Sequence, residues 1–137
     1  MYIKCNSTVK VHNAETVAGI FRDVLKNECE IDQYKEHFWV IGLNTKNRVL
    51  YLELVSLGTL TESLVHPREV FRSAIIKNIC NLIFCHNHPS GEAEPSSNDI
   101  TVTKRLKEGG ELLGIKILDH IIIGENDIFS FNQEGIL

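Results

Sequence analysis

"EHFWVIGLNTKNRVLYLELVSLG", residues 36–58, decides the fold class. Two runs rich in aromatic and β-branched residues, 36–44 and 48–58, flank the turn letters "TKNR", which reads as a β-hairpin. A hairpin pairs its strands antiparallel, and that argues against an all-parallel sheet. Upstream, "NAETVAGIFRDVLKNE" (13–28) carries an Asn cap and an apolar stripe at Val17, Ile20, Phe21, Val24 and Leu25, the spacing of a helix. Downstream, "GTLTESLV" (58–65) reads as a third strand. "HPREVFRSAIIKN" (66–78) puts Pro67 at a helix start and lines Val70, Phe71, Ala74 and Ile75 along one face.

A short apolar strand, "NLIFCH" (81–86), leads into a Gly/Pro/Ser loop, 89–97. "SNDITVTKRLKEGGELLG" (97–114) reads as a helix ending near Gly109-Gly110 or resuming until Gly114. "IKILDHIIIG" (115–124) and "DIFSF" (127–131) read as strands. Helices interleaved with a hairpin predict an α/β (α+β) domain, a mixed β-sheet flanked by helices.

At 137 residues the chain is expected to be a single domain, 1–137, burying about two-thirds of its unfolded surface. Its net charge of −4 argues against a surface built to hold phosphate backbones, so DNA binding finds no support there. The small cluster Lys104, Arg105 and Lys107 reads as a solvated helix face. No apolar run reaches the ~18 residues of a membrane span, and no secretory signal opens the chain, so a cytoplasmic protein without membrane contact is expected. The cysteines, Cys5, Cys29, Cys80 and Cys85, form no C-x-x-C pair and read as reduced thiols, with Cys80 and Cys85 in apolar surroundings. Alternation sends Cys85 to the face opposite His86, as a buried thiol.

"HNHPSGEAEPSSND" (86–99) raises a sharper question. Residues two apart on a strand share a face, so His86 and His88 can converge on one ion at the strand end. Pro89 ends the ladder, Gly91 permits a sharp turn, and a helix starting near Ser96 returns Asp99 in its first turn. Two imidazoles and one carboxylate leave a fourth position open, the pattern of a catalytic zinc. The bland alternative is a capping box with Ser96 as N-cap and Asp99 at N3. The readings are compatible, since the Ser96 hydroxyl can cap the helix or face a site. Hydrolysis would also need a general base. Glu36 opens the first hairpin strand and Glu53 lies inside the second; periodicity does not choose between them.

The spacing H-x-H-x(7)-S-x-x-D resembles the JAMM motif of the JAB/MPN metalloprotease superfamily. With "EHFWVIGLNTKNRVL", "SLGTLTESLVHPREVFRSAI" and "LLGIKILDHIIIG", it resembles more narrowly the RadC family, long labelled bacterial DNA-repair proteins. The match runs from about Glu36 to Gly124, residues 36–124, preceded by a helical segment, 1–35. The resemblance implies a JAB/MPN domain with cytidine deaminase-like architecture and one catalytic zinc. His86, His88 and Asp99 match the zinc ligands, Ser96 the serine that steadies water or oxyanion, and Glu36 the upstream general base. Longer RadC proteins carry a helix-hairpin-helix DNA-binding region before this part. Residues 1–35 are too few for it, so none is expected here.

"LDH" (118–120) offers Asp119 and His120 either as a strand-end salt bridge or hydrogen bond, or as partners that orient a ligand imidazole. His66 is expected to close a turn, while His12 and His37 belong to no constellation. The letters "HNH" are contiguous, unlike the spread residues of HNH nucleases, and no H-x-E with P-C-x-x-C marks a deaminase. Two function classes follow: a zinc-dependent peptidase or isopeptidase acting on a peptide or protein, and a non-catalytic DNA-repair or recombination binding module. Assembly as a homodimer through an MPN-like surface is a third alternative.

Overall fold

A computed structural model describes residues 1–58 and 65–137. The strand expected at 58–65 therefore lies mostly outside the described residues. The elements run β1 (Tyr2–Lys4), α1 (Ala14–Lys26), α2 (Glu30–Gln33), β2 (Glu36–Leu43), β3 (Val49–Gly58), α3 (Pro67–Ile76), β4 (Asn81–Asn87), α4 (Ser97–Leu113), β5 (Lys116–Ile123) and β6 (Ile128–Ser130). Among the described residues the strands form one sheet in the order β1-β3-β2-β4-β5-β6. All neighbours pair antiparallel except β4 and β5, so the sheet is mixed.

Alternation along the central strands divides two apolar layers. Phe38 and Val40 of β2, with Leu82 and Phe84 of β4, pack under α3 and α4 against Val70, Phe71, Val102 and Leu106. Trp39 and Ile41 of β2, with Ile83 and Cys85 of β4, pack under α1 against Ala14, Val17, Ala18 and Phe21. Every residue of β2 from His37 to Leu43 is buried, as expected for a strand covered on both faces. The sheet between helices is the architecture expected of the sequence.

Local chemistry sets the helix ends. The Asn13 side chain caps α1 by accepting from the Thr16 N–H at 2.9 Å. His66 occupies the N-cap of α3 without a side-chain bond, and Pro67 begins the helix. Gly114 closes α4 in the left-handed region, φ 72°.

Four expectations need correction. Helix α4 does not pause at Gly109-Gly110. Instead, these glycines let it lie close to its neighbours: a Cβ on Gly110 would stand 2.5 Å from the Ile115 carbonyl oxygen. Ile75 is 57% exposed, and the inward position belongs to Ser73, whose hydroxyl donates to Glu53 Oε2 at 2.9 Å. Cys80 is exposed because it lies in the turn before β4 begins, whereas Cys85 is buried as expected. Residues 1–35 are more than one helical segment, since a strand, β1, pairs with the edge of β3 and a second, single-turn helix, α2, precedes β2.

Candidate metal centre

β4 delivers the first histidine to the face covered by α3 and α4. Its ladder with β2 ends at the pair Phe38–His86, and its parallel ladder with β5 runs to Asn87–Ile123. The His88 N–H still donates to the Ile123 carbonyl at 2.9 Å, which holds the chain extended for two residues past His86. Beyond Pro89 the Gly91 N–H donates to the His88 carbonyl, with Gly91 at φ 89°, a conformation that favours glycine. The loop then returns to Ser96, where α4 starts.

Asp99 serves two structures at once. The Ser96 Oγ accepts from the Asp99 N–H at 3.1 Å, and Asp99 Oδ2 accepts from the Ser96 N–H at 2.9 Å, a complete capping box. The same carboxylate faces both histidines. Oδ2 lies 3.0 Å from His88 Nε2, and Oδ1 lies 3.4 Å from His86 Nε2. The two Nε2 atoms are 3.0 Å apart. His86 and Asp99 are buried, and one ligand atom from each of the three residues falls within 4.8 Å of the others.

The opposite ring nitrogens are occupied. His88 Nδ1 donates to the Glu92 carbonyl at 2.8 Å, leaving Nε2 to face the cluster. His86 Nδ1 lies 2.7 Å from His120 Nε2, and His120 Nδ1 lies 2.5 Å from Thr103 Oγ1. The Thr103 hydroxyl donates to the Asp99 carbonyl at 2.7 Å. Two Nε2 atoms and a carboxylate at hydrogen-bond distance concentrate lone pairs that a proton or a cation must separate. The donor set of two imidazoles and one carboxylate, with an open side, suits a divalent ion such as zinc.

The electrostatics agree. The Asp99 hydrogen bond raises His88 above its ordinary value, assisted by the Glu92 carbonyl and the charge of Glu36. Burial alone would raise Asp99, but hydrogen bonding to His86 and His88 outweighs it and holds the carboxyl well below the usual range. Burial, then the neighbouring His86, pushes His120 well below the ordinary imidazole value.

Glu36, His88 and Ser96 line one hollow of about 340 Å³, together with Ser90, Glu92, Glu94 and Pro95. Glu53 stands elsewhere, in a hollow with Met1, Tyr2 and Arg72. The structure thus gathers Glu36, Ser96, His86, His88 and Asp99 and leaves Glu53 apart. "LDH" divides in two. Asp119 ties β5 to β6 by accepting from the Ser130 hydroxyl at 2.6 Å and the Asn132 N–H at 3.0 Å, while His120 meets His86. Sequence reading missed Thr103 and Asn87. Thr103 was within reach, because i+4 from Asp99 lies on the same helix face.

Comparison with known proteins is consistent with this geometry. The family model described as RadC-like JAB domain matches residues 11–136. A UPF0758 protein of Desulforudis audaxviator is 58% identical over 102 residues, covering 74% of this chain and 44% of that protein. One from Chlorobaculum tepidum is 50% identical over 132 residues, covering 96% of this chain and 57% of its own length. One from Clostridium acetobutylicum is 43% identical over 134 residues, 98% of this chain and 56% of that protein. The chain therefore spans about half the length of the curated relatives it matches. A sheet, a cluster and a family match that all fall on the same residues lead to one assignment: this chain belongs to the RadC family and folds as its JAB domain.

Proposed function

We propose that the chain is a zinc-dependent hydrolase of the JAMM type, cleaving a peptide or isopeptide bond. The observation that carries this reading is the pair of Nε2 atoms, 3.0 Å apart beside the Asp99 carboxylate, with both Nδ1 atoms already engaged. His86, His88 and Asp99 would hold a zinc ion, which would supply Lewis acidity toward the scissile carbonyl and lower the pKa of a water toward ~7.

The chain's own groups complete the reaction. Glu36 takes a proton from the attacking water as the C–O bond forms, then delivers it to the amine nitrogen as the C–N bond breaks. The Ser96 oxygen is used by the helix cap, but its hydroxyl proton remains to be donated to the oxyanion of the tetrahedral intermediate. The loop 89–96 and the start of β2 form the walls of the hollow that a substrate strand would enter.

The test is zinc content of the purified chain beside His88→Ala and Asp99→Ala, followed by peptide and isopeptide cleavage with Glu36→Gln as control. Near-stoichiometric zinc lost in both substitutions, with cleavage lost in Glu36→Gln while zinc stays, is the expected result. A folded chain that takes up no zinc when it is supplied would sink the reading and return attention to a DNA or protein binding module.

A further inference from the structure

We infer that His120, acting through Thr103, is a positioning residue that holds His86 in the ring form able to bind through Nε2, and that the Asp99 backbone carbonyl dictates the order of protons along the chain. The consequence for zinc rests on the metal reading above; the proton order does not.

The Thr103 hydroxyl lies 2.7 Å from the Asp99 carbonyl four residues back, the bond a helical threonine makes, and its single proton is assigned there. Toward His120 Nδ1, at 2.5 Å, the Thr103 oxygen can then only accept, so Nδ1 carries the hydrogen. His120 has no exposed surface and lies among aromatic rings, with Phe131 stacked at 4.8 Å and Phe38 and Phe84 edge-on. In that apolar box the ring is uncharged and holds one hydrogen, which leaves Nε2 as an acceptor. His86 Nδ1, 2.7 Å away, must therefore donate. His86 Nε2 is left bare and faces His88 and Asp99.

His88 reaches the same state in one step, through the Glu92 carbonyl. His86 Nδ1 meets His120 Nε2 in place of a carbonyl. The relay passes through β4, β5 and α4, and it ends on the residue whose carboxylate shares the site. The orientation of one ligand ring is thereby tied to the placement of the helix that carries another ligand.

Thr103→Val and Thr103→Ser in the full chain test this. Thr103→Val keeps the shape and removes the hydroxyl; Thr103→Ser keeps the hydroxyl. The readouts are the ¹⁵N shifts of His86 in zinc-free protein with uncharged rings, and zinc affinity by competition with a chelator. Wild type and Thr103→Ser should show His86 protonated on Nδ1. Thr103→Val should show mixed ring forms and about 10- to 100-fold weaker zinc binding. A wild-type His86 protonated on Nε2, or a Thr103→Val protein with unchanged ring form, overturns the inference, whatever the zinc affinity does. Should Thr103→Val fail to fold, the wild-type spectrum decides alone. A chain that binds no zinc but whose His86 ring form responds to Thr103→Val supports the relay and refutes the metal reading.

Discussion

The side chain of Asn87 brackets Glu36 by bonding the peptide groups on both sides of it. Asn87 Oδ1 accepts from the His37 N–H at 2.7 Å, and Asn87 Nδ2 donates to the Lys35 carbonyl at 3.0 Å. The β2–β4 ladder stops at Phe38–His86, so this amide continues the pairing where backbone bonds end. The residue between the two candidate ligands thus fixes the backbone of the candidate base.

Asn87→Ala is expected to separate positioning from metal binding. It leaves the buried His37 N–H unpaired, at a cost of about 1–3 kcal/mol, while the Lys35 carbonyl keeps its bond from His37 Nδ1. Misplacing Glu36 by an ångström should lower kcat by up to about 100-fold. Zinc stoichiometry should hold, because the three candidate ligands and the backbone pairing of β4 with β5 are kept. Steady-state kinetics with metal analysis on one sample checks both.

Asp99→Asn should distinguish the two duties of Asp99. The amide oxygen can still accept from the Ser96 N–H and keep the helix cap, so the thermal midpoint should change little. The anionic ligand is gone, so zinc should be lost. Ser96→Ala should behave in the opposite way, retaining zinc and losing about 1 kcal/mol of stability with the cap. Calorimetry beside elemental analysis reads the pair.

His88 predicts a pH dependence for the metal-free chain. Its value is raised by Asp99, so its charged form contributes stability that is complete below the unfolded value near 6.5. That contribution is lost as pH rises through the higher folded value. Zinc competes with the same proton and binds better as pH rises. The gap in thermal midpoint between zinc-loaded and chelator-treated protein should therefore widen upward from about pH 6.5, and the metal-free slope should flatten in His88→Gln.

Gly110→Ala should destabilise the chain by about 1–3 kcal/mol although alanine favours helices, because its Cβ would press on the Ile115 carbonyl oxygen at 2.5 Å. Gly109→Ala meets the Phe71 ring edge at 3.3 Å and Pro67 at an ordinary 4.0 Å, and should lose less. Denaturant midpoints of the two variants decide the order.

Much of the site was legible because its signals are local. Two histidines two apart, a loop with Pro and Gly, and a serine three before an aspartate each describe one element or one turn, where spacing sets direction. The hairpin, the helices over 13–28 and 66–78, and the opposite faces of Cys85 and His86 were readable for the same reason. Local rules failed where a neighbour decides. Gly109-Gly110 looks like a stop, yet packing against β5 and Phe71 carries the helix through. Strand β1 has three residues and no pattern of its own; it exists because β3 offers a free edge.

By itself, then, the sequence determined the types of the longer elements, the mixed character of the sheet and the candidate ligand set. The family resemblance had pointed to Glu36, and the letters of 118–120 had left His120 open. Tertiary structure decided that Glu36 shares a hollow with His88 while Glu53 stands apart, that Asn87 brackets Glu36, and that His120 lies between His86 and Thr103. The physical reason is sequence distance. His86 and His120 are 34 residues apart and Asn87 and His37 are 50 apart. Which residues meet over such separations is set by strand register and helix packing, and no local period encodes either.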